Sequence, residues 1–176
     1  MSDSPIALIG YRGTGKTTVA RLLASLLSYD WIDTDVEVEL RAGKSIATIF
    51  EESGEEMFRD LEAEVVAGLC HRDRTVLALG GGAVLRDSNR KCLSQCQPVV
   101  WLQASSAVLA ERLSGDLTTA SRRPNLTNRG GLHEIEQLLA VREPIYRACA
   151  TLEVDTEDKG PAEIADEILV RMGKGE

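Results

Sequence analysis

Aromatic residues make up only 4% of the chain, too few for the stacking platforms that hold single-stranded nucleic acid. Basic residues are outnumbered by acidic ones, 20 to 28, which gives a formal net charge of −8. Such a chain repels polyanions as a whole, so nucleic acid is excluded as a general partner. Any phosphate or carboxylate ligand must meet a local group of Lys and Arg. No apolar run reaches the length a bilayer requires, so no membrane association is expected. The opening residues, MSDSPIALIG, lack the basic flank and long apolar stretch of a secretory leader. The four cysteines, Cys70, Cys92, Cys96 and Cys149, form no CxxC pair, and no CxxC or His partner completes a metal set. Cys92 and Cys96 are expected to share a helix face at i, i+4. Reduced thiols in a cytoplasmic protein are the expectation.

What is present fits one ordinary globular domain covering residues 1–176, with 43% apolar and 27% charged residues. Short apolar runs alternate with helical patterns. Strands are expected at Pro5–Ile9, Trp31–Ile32, Thr75–Leu79, Pro98–Leu102 and Thr151–Val154. Helices are expected at Lys16–Leu27, up to Cys70, over Asp87–Gln95, from Ser105 or Ser106 to Leu113, over Leu132–Ala148, and at the end of the chain. Met57, Leu61, Val65 and Leu69 repeat every four residues and predict the core-facing stripe of their helix. Ile164, Ile168 and Met172 do the same in the last one. This alternation implies a parallel sheet covered on both faces. Residues 114–131 are polar, with glycines, a proline and no period; they are expected to form a mobile lid.

Gly10-Tyr11-Arg12-Gly13-Thr14-Gly15-Lys16-Thr17 matches GxxxxGK[ST] between an expected strand and helix. Glycines let the loop curl so that successive N–H groups point at phosphate oxygens. The helix N-terminus adds its positive end. In such a loop the lysine, here Lys16, reaches the β- and γ-phosphates, and the hydroxyl, here Thr17, takes a place on the metal. Arg12 either touches phosphate or is solvated, with solvation favoured.

Asp33-Thr34-Asp35 ends the second strand, at the edge of the sheet where ligands bind. One carboxylate there can hold hydrated magnesium and the other can accept a hydroxyl proton. A helix cap accounts for one of them but not both. Phe58-Arg59-x-x-Glu62 lies on a helix, where by itself it reads as a surface i, i+3 ion pair. Gly80-Gly81-Gly82 ends the third strand; three glycines suggest a ligand close to bare backbone. Arg123-Pro124-Asn125-Leu126 falls in the expected lid. Arg142-Glu143-Pro144-Ile145-Tyr146 sits late in the following helix, where a solvated arginine is the plain reading.

In this order, GxxGxGKT, DxD, FRxxE, GGG, RPxL and RxPxY, the motifs resemble those of the shikimate kinase family, from about residue 6 to residue 170. The resemblance implies a three-layer α/β/α P-loop fold with a five-stranded parallel sheet and a mobile lid. It implies phosphoryl transfer from ATP, with Mg2+, to the 3-hydroxyl of shikimate, in the pathway to chorismate and the aromatic amino acids, by a monomer. Carried over by motif, Gly10, Arg12, Gly13, Thr14, Gly15, Lys16, Thr17 and Thr18 hold the nucleotide. Thr17 and Asp33 serve the metal, Asp33 through water. Asp35 binds the reacting hydroxyl and acts as base. Arg59 and Arg142 hold the shikimate carboxylate, helped by Gly80, Gly81 and Gly82. Arg123 comes from the lid to the transferring phosphoryl group, and Arg112 and Thr156 flank adenine. Two features depart from the family pattern. Asn125 stands where leucine is common, and the span from Arg112 to Arg123 exceeds that of the shortest members. Arg122, next to Arg123, is an alternative for the lid role. Among enzymes, another small P-loop kinase such as a gluconate kinase is the rival. A nucleotide-binding partner protein without catalysis is the rival outside them.

Overall fold

The computed structural model describes residues 3–115 and 131–174. Five strands, β1 (Ile6–Ile9), β2 (Asp30–Asp33), β3 (Thr75–Ala78), β4 (Val99–Gln103) and β5 (Leu152–Asp155), form one parallel sheet in the order β2-β3-β1-β4-β5. β1, β3 and β4 are buried on both faces, as their uninterrupted apolar runs require. All five strands point the same way, so their carboxyl ends share one rim. The central strand β1 delivers the phosphate loop to the middle of it.

Helices cover both faces. One face carries α1 (Lys16–Leu27) and the last helix, α7 (Pro161–Arg171), over a core of Leu23, Val100, Val154, Ile164 and Ile168. Met172 packs at its border, so the predicted stripe of the last helix is present. The other face carries α3 (Ile46–Leu69), α4 (Asp87–Leu93) and α6 (Leu132–Cys149) over Phe58, Val65, Leu77, Trp101 and Tyr146. Between these lie α2 (Thr34–Ala42), packed beside α3, and α5 (Ser106–Ser114), capped by Ser105. A small third cluster of Tyr11, Leu109, Ile135 and Leu139 seats the phosphate loop on α5 and α6.

Two expectations need correction. The stripe of α3 does not run through Met57, which is 47% exposed. Past the break at Gly54 the buried side chains are Phe58, Arg59, Glu62, Val65, Val66 and Leu69. Steps of four residues drift around a helix of 3.6 residues per turn, so Val65 and Leu69 stay on the buried face while Met57 turns away from it. Two charged residues then occupy the buried face and hide its period. The second correction concerns Cys96. α4 ends at Leu93, so Cys96 lies past it and shares no helix face with Cys92. Its thiol is instead a hydrogen-bonded neighbour of Cys70 in the core, and that contact, with burial, pushes the Cys70 thiol up. All four thiols are free.

The corrected face of α3 gives a direct test by chemical denaturation. Phe58→Ala should lower stability by about 3–5 kcal/mol, because it opens a cavity in the core. Met57→Ala, on the exposed side, should change it by less than about 0.5 kcal/mol. The reverse ranking would restore the Met57 stripe.

Candidate active site

The phosphate loop takes its shape from glycine at positions where other residues would strain or collide. Gly10, Gly13 and Gly15 have φ of 139°, 86° and 87°. A Cβ on Gly10 would lie 2.4 Å from the Leu102 carbonyl oxygen of β4. Inside the curl, Thr14 Oγ1 donates to the Tyr11 carbonyl at 2.8 Å. Lys16 is buried, and its Nζ donates to the carbonyls of Gly10 and Tyr11 at 2.7 and 2.8 Å. The ammonium is thus held across the mouth of the loop. A cavity of about 270 Å³ opens there, bounded by Lys16, Thr17 and Thr18, by Asp33 and Asp35, and by Gly80 and Gly81.

Asp33 does two jobs at once. Its Oδ1 accepts from the Asp35 N–H at 3.0 Å and caps α2, while its Oδ2 accepts from Thr17 Oγ1 at 2.6 Å. This second contact ties the end of β2 to the first turn of α1. It also sets two hard oxygens side by side at the edge of the cavity, the donor type a hard divalent cation prefers. No group of three or more His, Cys, Asp and Glu converges among the described residues. A cation at Thr17 and Asp33 would therefore share its shell with phosphate and water, as magnesium does beside nucleotides. Asp35, in the first turn of α2, opens onto the same cavity.

Opposite the phosphate loop, the Gly80–Gly82 turn gathers residues from four elements. The Gly80 N–H donates to Thr34 Oγ1 at 3.0 Å. Tyr146 Oη, on α6, donates to the Gly81 carbonyl at 2.5 Å. A Cβ on Gly81 would lie 3.4 Å from the Arg12 backbone nitrogen and 3.6 Å from Arg142 Nη1. On Gly82 it would lie 2.5 Å from Arg59 Nη2. The two arginines named from the motifs therefore reach the same turn, and both are buried. Neither is the solvated side chain or surface pair of the plain reading. Arg59 Nη1 meets Glu62 Oε2 at 2.7 Å, and its Nη2 meets Glu55 Oε1 at 3.2 Å. Burial opposes the Arg59 charge, but Glu62 and then Glu55 outweigh it and hold its pKa above the usual value. Arg142 lies over the Tyr11 ring at 5.6 Å.

On the far side of the loop, Arg112 Nη1 donates to Thr156 Oγ1 at 3.0 Å and to the Gly13 carbonyl at 3.3 Å, and its Nη2 to the Thr156 carbonyl at 2.9 Å. The pair expected beside adenine is thus one unit. Arg12, expected to be solvated or on phosphate, has its side chain part-buried beside the cavity and meets Glu134 Oε1 of α6 at 3.5 Å. Arg122, Arg123 and Asn125 lie outside the described residues. Sequence reasoning gave no role to Thr34 or Tyr146. Each sits inside a motif that was noted, DTD and RxPxY, and supports its neighbours there. Glu134 lies in no motif and had no signal.

Comparison with known proteins agrees with this geometry. A family model described as shikimate kinase matches residues 12–173. The shikimate kinase of Rhodopirellula baltica is 46% identical over 162 residues, covering 92% of this chain and 87% of that protein. That of Pseudomonas fluorescens is 42% identical over 169 residues and 96% of each. Among solved structures, shikimate kinase from Acinetobacter baumannii in complex with shikimate superposes with a TM-score of 0.89 at 36% identity, covering 96% of this chain and 92% of that one. A gluconokinase from Sinorhizobium meliloti, at 20% identity and a TM-score of 0.64, shares the fold alone. With its phosphate loop facing a glycine turn lined by two buried arginines, the chain belongs to the shikimate kinase family.

Proposed function

We propose that the chain transfers the γ-phosphoryl group of ATP to the 3-hydroxyl of shikimate, giving shikimate 3-phosphate and ADP on the way to chorismate and the aromatic amino acids. The observation that carries this is the approach of Arg142 to Gly81 and of Arg59 to Gly82, in a turn whose Gly80 and Gly81 line the same cavity as Lys16 and Asp35. A planar, bidentate donor suits a carboxylate, and this acceptor has one.

Each group then has a place. The loop backbone, with Lys16, Thr14 and Thr18, holds the triphosphate, and Arg112 with Thr156 borders the adenine. Thr17 and Asp33 would hold Mg2+, which would supply charge neutralisation at the phosphates. Arg59 and Arg142 grip the carboxylate against the glycine turn. Asp35 accepts the proton of the 3-hydroxyl as its oxygen bonds to the γ-phosphorus. The bond from γ-phosphorus to the bridging oxygen breaks, and ADP leaves with the electron pair. Arg123, in the lid of residues 114–131, stabilises charge on the group in flight. We further propose that the protein works as a monomer in the cytoplasm, where a reducing environment suits its four free thiols.

A coupled assay of ADP release tests the acceptor. Shikimate should support turnover, and gluconate should not; a higher kcat/KM for gluconate would contradict the reading. Arg142→Ala should weaken shikimate binding by about 2–5 kcal/mol while ATP affinity, measured without shikimate, hardly moves. Loss of ATP affinity alone would place Arg142 elsewhere. Arg123→Ala should lower kcat on the order of 10³-fold with little change in the KM for shikimate, as arginine fingers do. Arg122→Ala should be mild; if it is the severe variant, the lid role belongs to Arg122.

A further inference from the structure

One buried carboxylate near the site has no part in the mechanism above. Glu134 stands in the first turn of α6 with its side chain 1% exposed. An acid in a first helical turn is ordinarily explained by the helix dipole, which favours negative charge there. That explanation does not require burial. Exposed first-turn acids gain the same interaction without losing their hydration, whereas a buried carboxylate is costly unless paired. One partner is on another element. Arg12 Nη2 of the phosphate loop meets Glu134 Oε1 at 3.5 Å.

The position of Arg12 tells what the pair does. Arg12 borders the cavity that holds Asp35, Gly80 and Gly81. Its guanidinium lies 5.9 Å from the Tyr11 ring centre, and Arg142 lies 5.6 Å from the same centre. Its backbone nitrogen abuts Gly81, the glycine that Arg142 also approaches. Arg12 therefore belongs with the arginines of the glycine turn rather than with Arg112 and Thr156. A guanidinium has five N–H donors, so one contact to Glu134 leaves donors for a ligand. The arrangement repeats that of Arg59, an arginine at Gly82 with a buried acid, Glu62, fixing its direction. Glu134 and Arg142 are also two turns apart on one helix, so the pair sets the phosphate loop against the helix that carries Arg142.

We propose that Glu134 is a positioning residue whose carboxylate holds Arg12 on the acceptor side of the cavity, where Arg12 serves the shikimate carboxylate as a third arginine. This rests on the shikimate reading above. The test compares Glu134→Gln, Arg12→Met and the double variant, by steady-state kinetics with shikimate and by ATP affinity without it. Each single change should raise the KM for shikimate on the order of tenfold, and the double variant should be no worse than Arg12→Met alone, because Glu134 acts through Arg12. ATP affinity should stay within about twofold. An unchanged KM in Glu134→Gln overturns the proposal, as does a double variant in which the two effects multiply. A shift confined to ATP affinity overturns it too, by assigning Arg12 to the nucleotide. If Glu134→Gln fails to fold, Arg12→Met is compared with Arg12→Met/Glu134→Leu, which removes both charges. Equal KM values support the proposal and a further rise contradicts it. Wild-type turnover separates the two claims: without shikimate phosphorylation the function reading fails, and with it only the role of Glu134 is at stake.

Discussion

The site depends on a turn with no side chains. Gly80–Gly82 presents a backbone N–H to Thr34, a carbonyl to Tyr146 and bare Cα atoms to Arg12, Arg59 and Arg142. These contacts join β3 to α2, α3, α6 and the phosphate loop. Gly82 shows why glycine is needed. Its φ of −98° suits any residue, so its constraint is space and not backbone conformation. A methyl group there would take the place of the Arg59 guanidinium. The turn is thus a surface without side chains that two guanidinium groups can approach, one at Gly81 and one at Gly82.

Electrostatics around that turn run against the composition of the chain. A protein of net charge −8 concentrates arginines at one rim of its sheet and neutralises them from behind. Glu62 and Glu55 lie behind Arg59, Glu134 behind Arg12, and the Tyr11 ring under Arg142. Each arginine is held in direction before a ligand arrives, so less side-chain freedom is lost on binding. The opposite wall is arranged in the same way. Asp33 is fixed by the cap of α2 and by Thr17, and Lys16 by two loop carbonyls.

Much of this was legible in the residues. The phosphate loop was, because the chemistry of backbone phosphate binding dictates its glycines and its lysine. The parallel sheet was, because strands buried on both faces leave no polar alternation. The buried face of α3 was legible only in part. Val65 and Leu69 of the four-residue repeat are buried and Leu61 packs at the border of the core, but Met57 at its start is exposed, and Arg59 and Glu62 on the buried face break the apolar period. The burial of Arg142 was equally hidden, since an arginine late in a helix gives no sign of the Tyr11 ring it will lie over. Glu134 escaped notice because its partner is 122 residues away. Long-range pairing of this kind leaves no mark on local spacing. The lid motif lies outside the described residues, so its register still rests on the sequence pattern alone.

The bare backbone of the glycine turn makes room for the acceptor's arginines independently of the nucleotide. Calorimetric titration of Gly82→Ala with shikimate, and separately with ATP and magnesium, separates the two. The backbone at Gly82 accepts alanine and the colliding group is the far end of the Arg59 side chain and not backbone, so the variant should fold. ATP affinity should match that of the parent protein, and shikimate affinity should fall by about tenfold or more, on the order of one displaced charged contact. Unchanged shikimate affinity, or a loss shared equally by ATP, would contradict it.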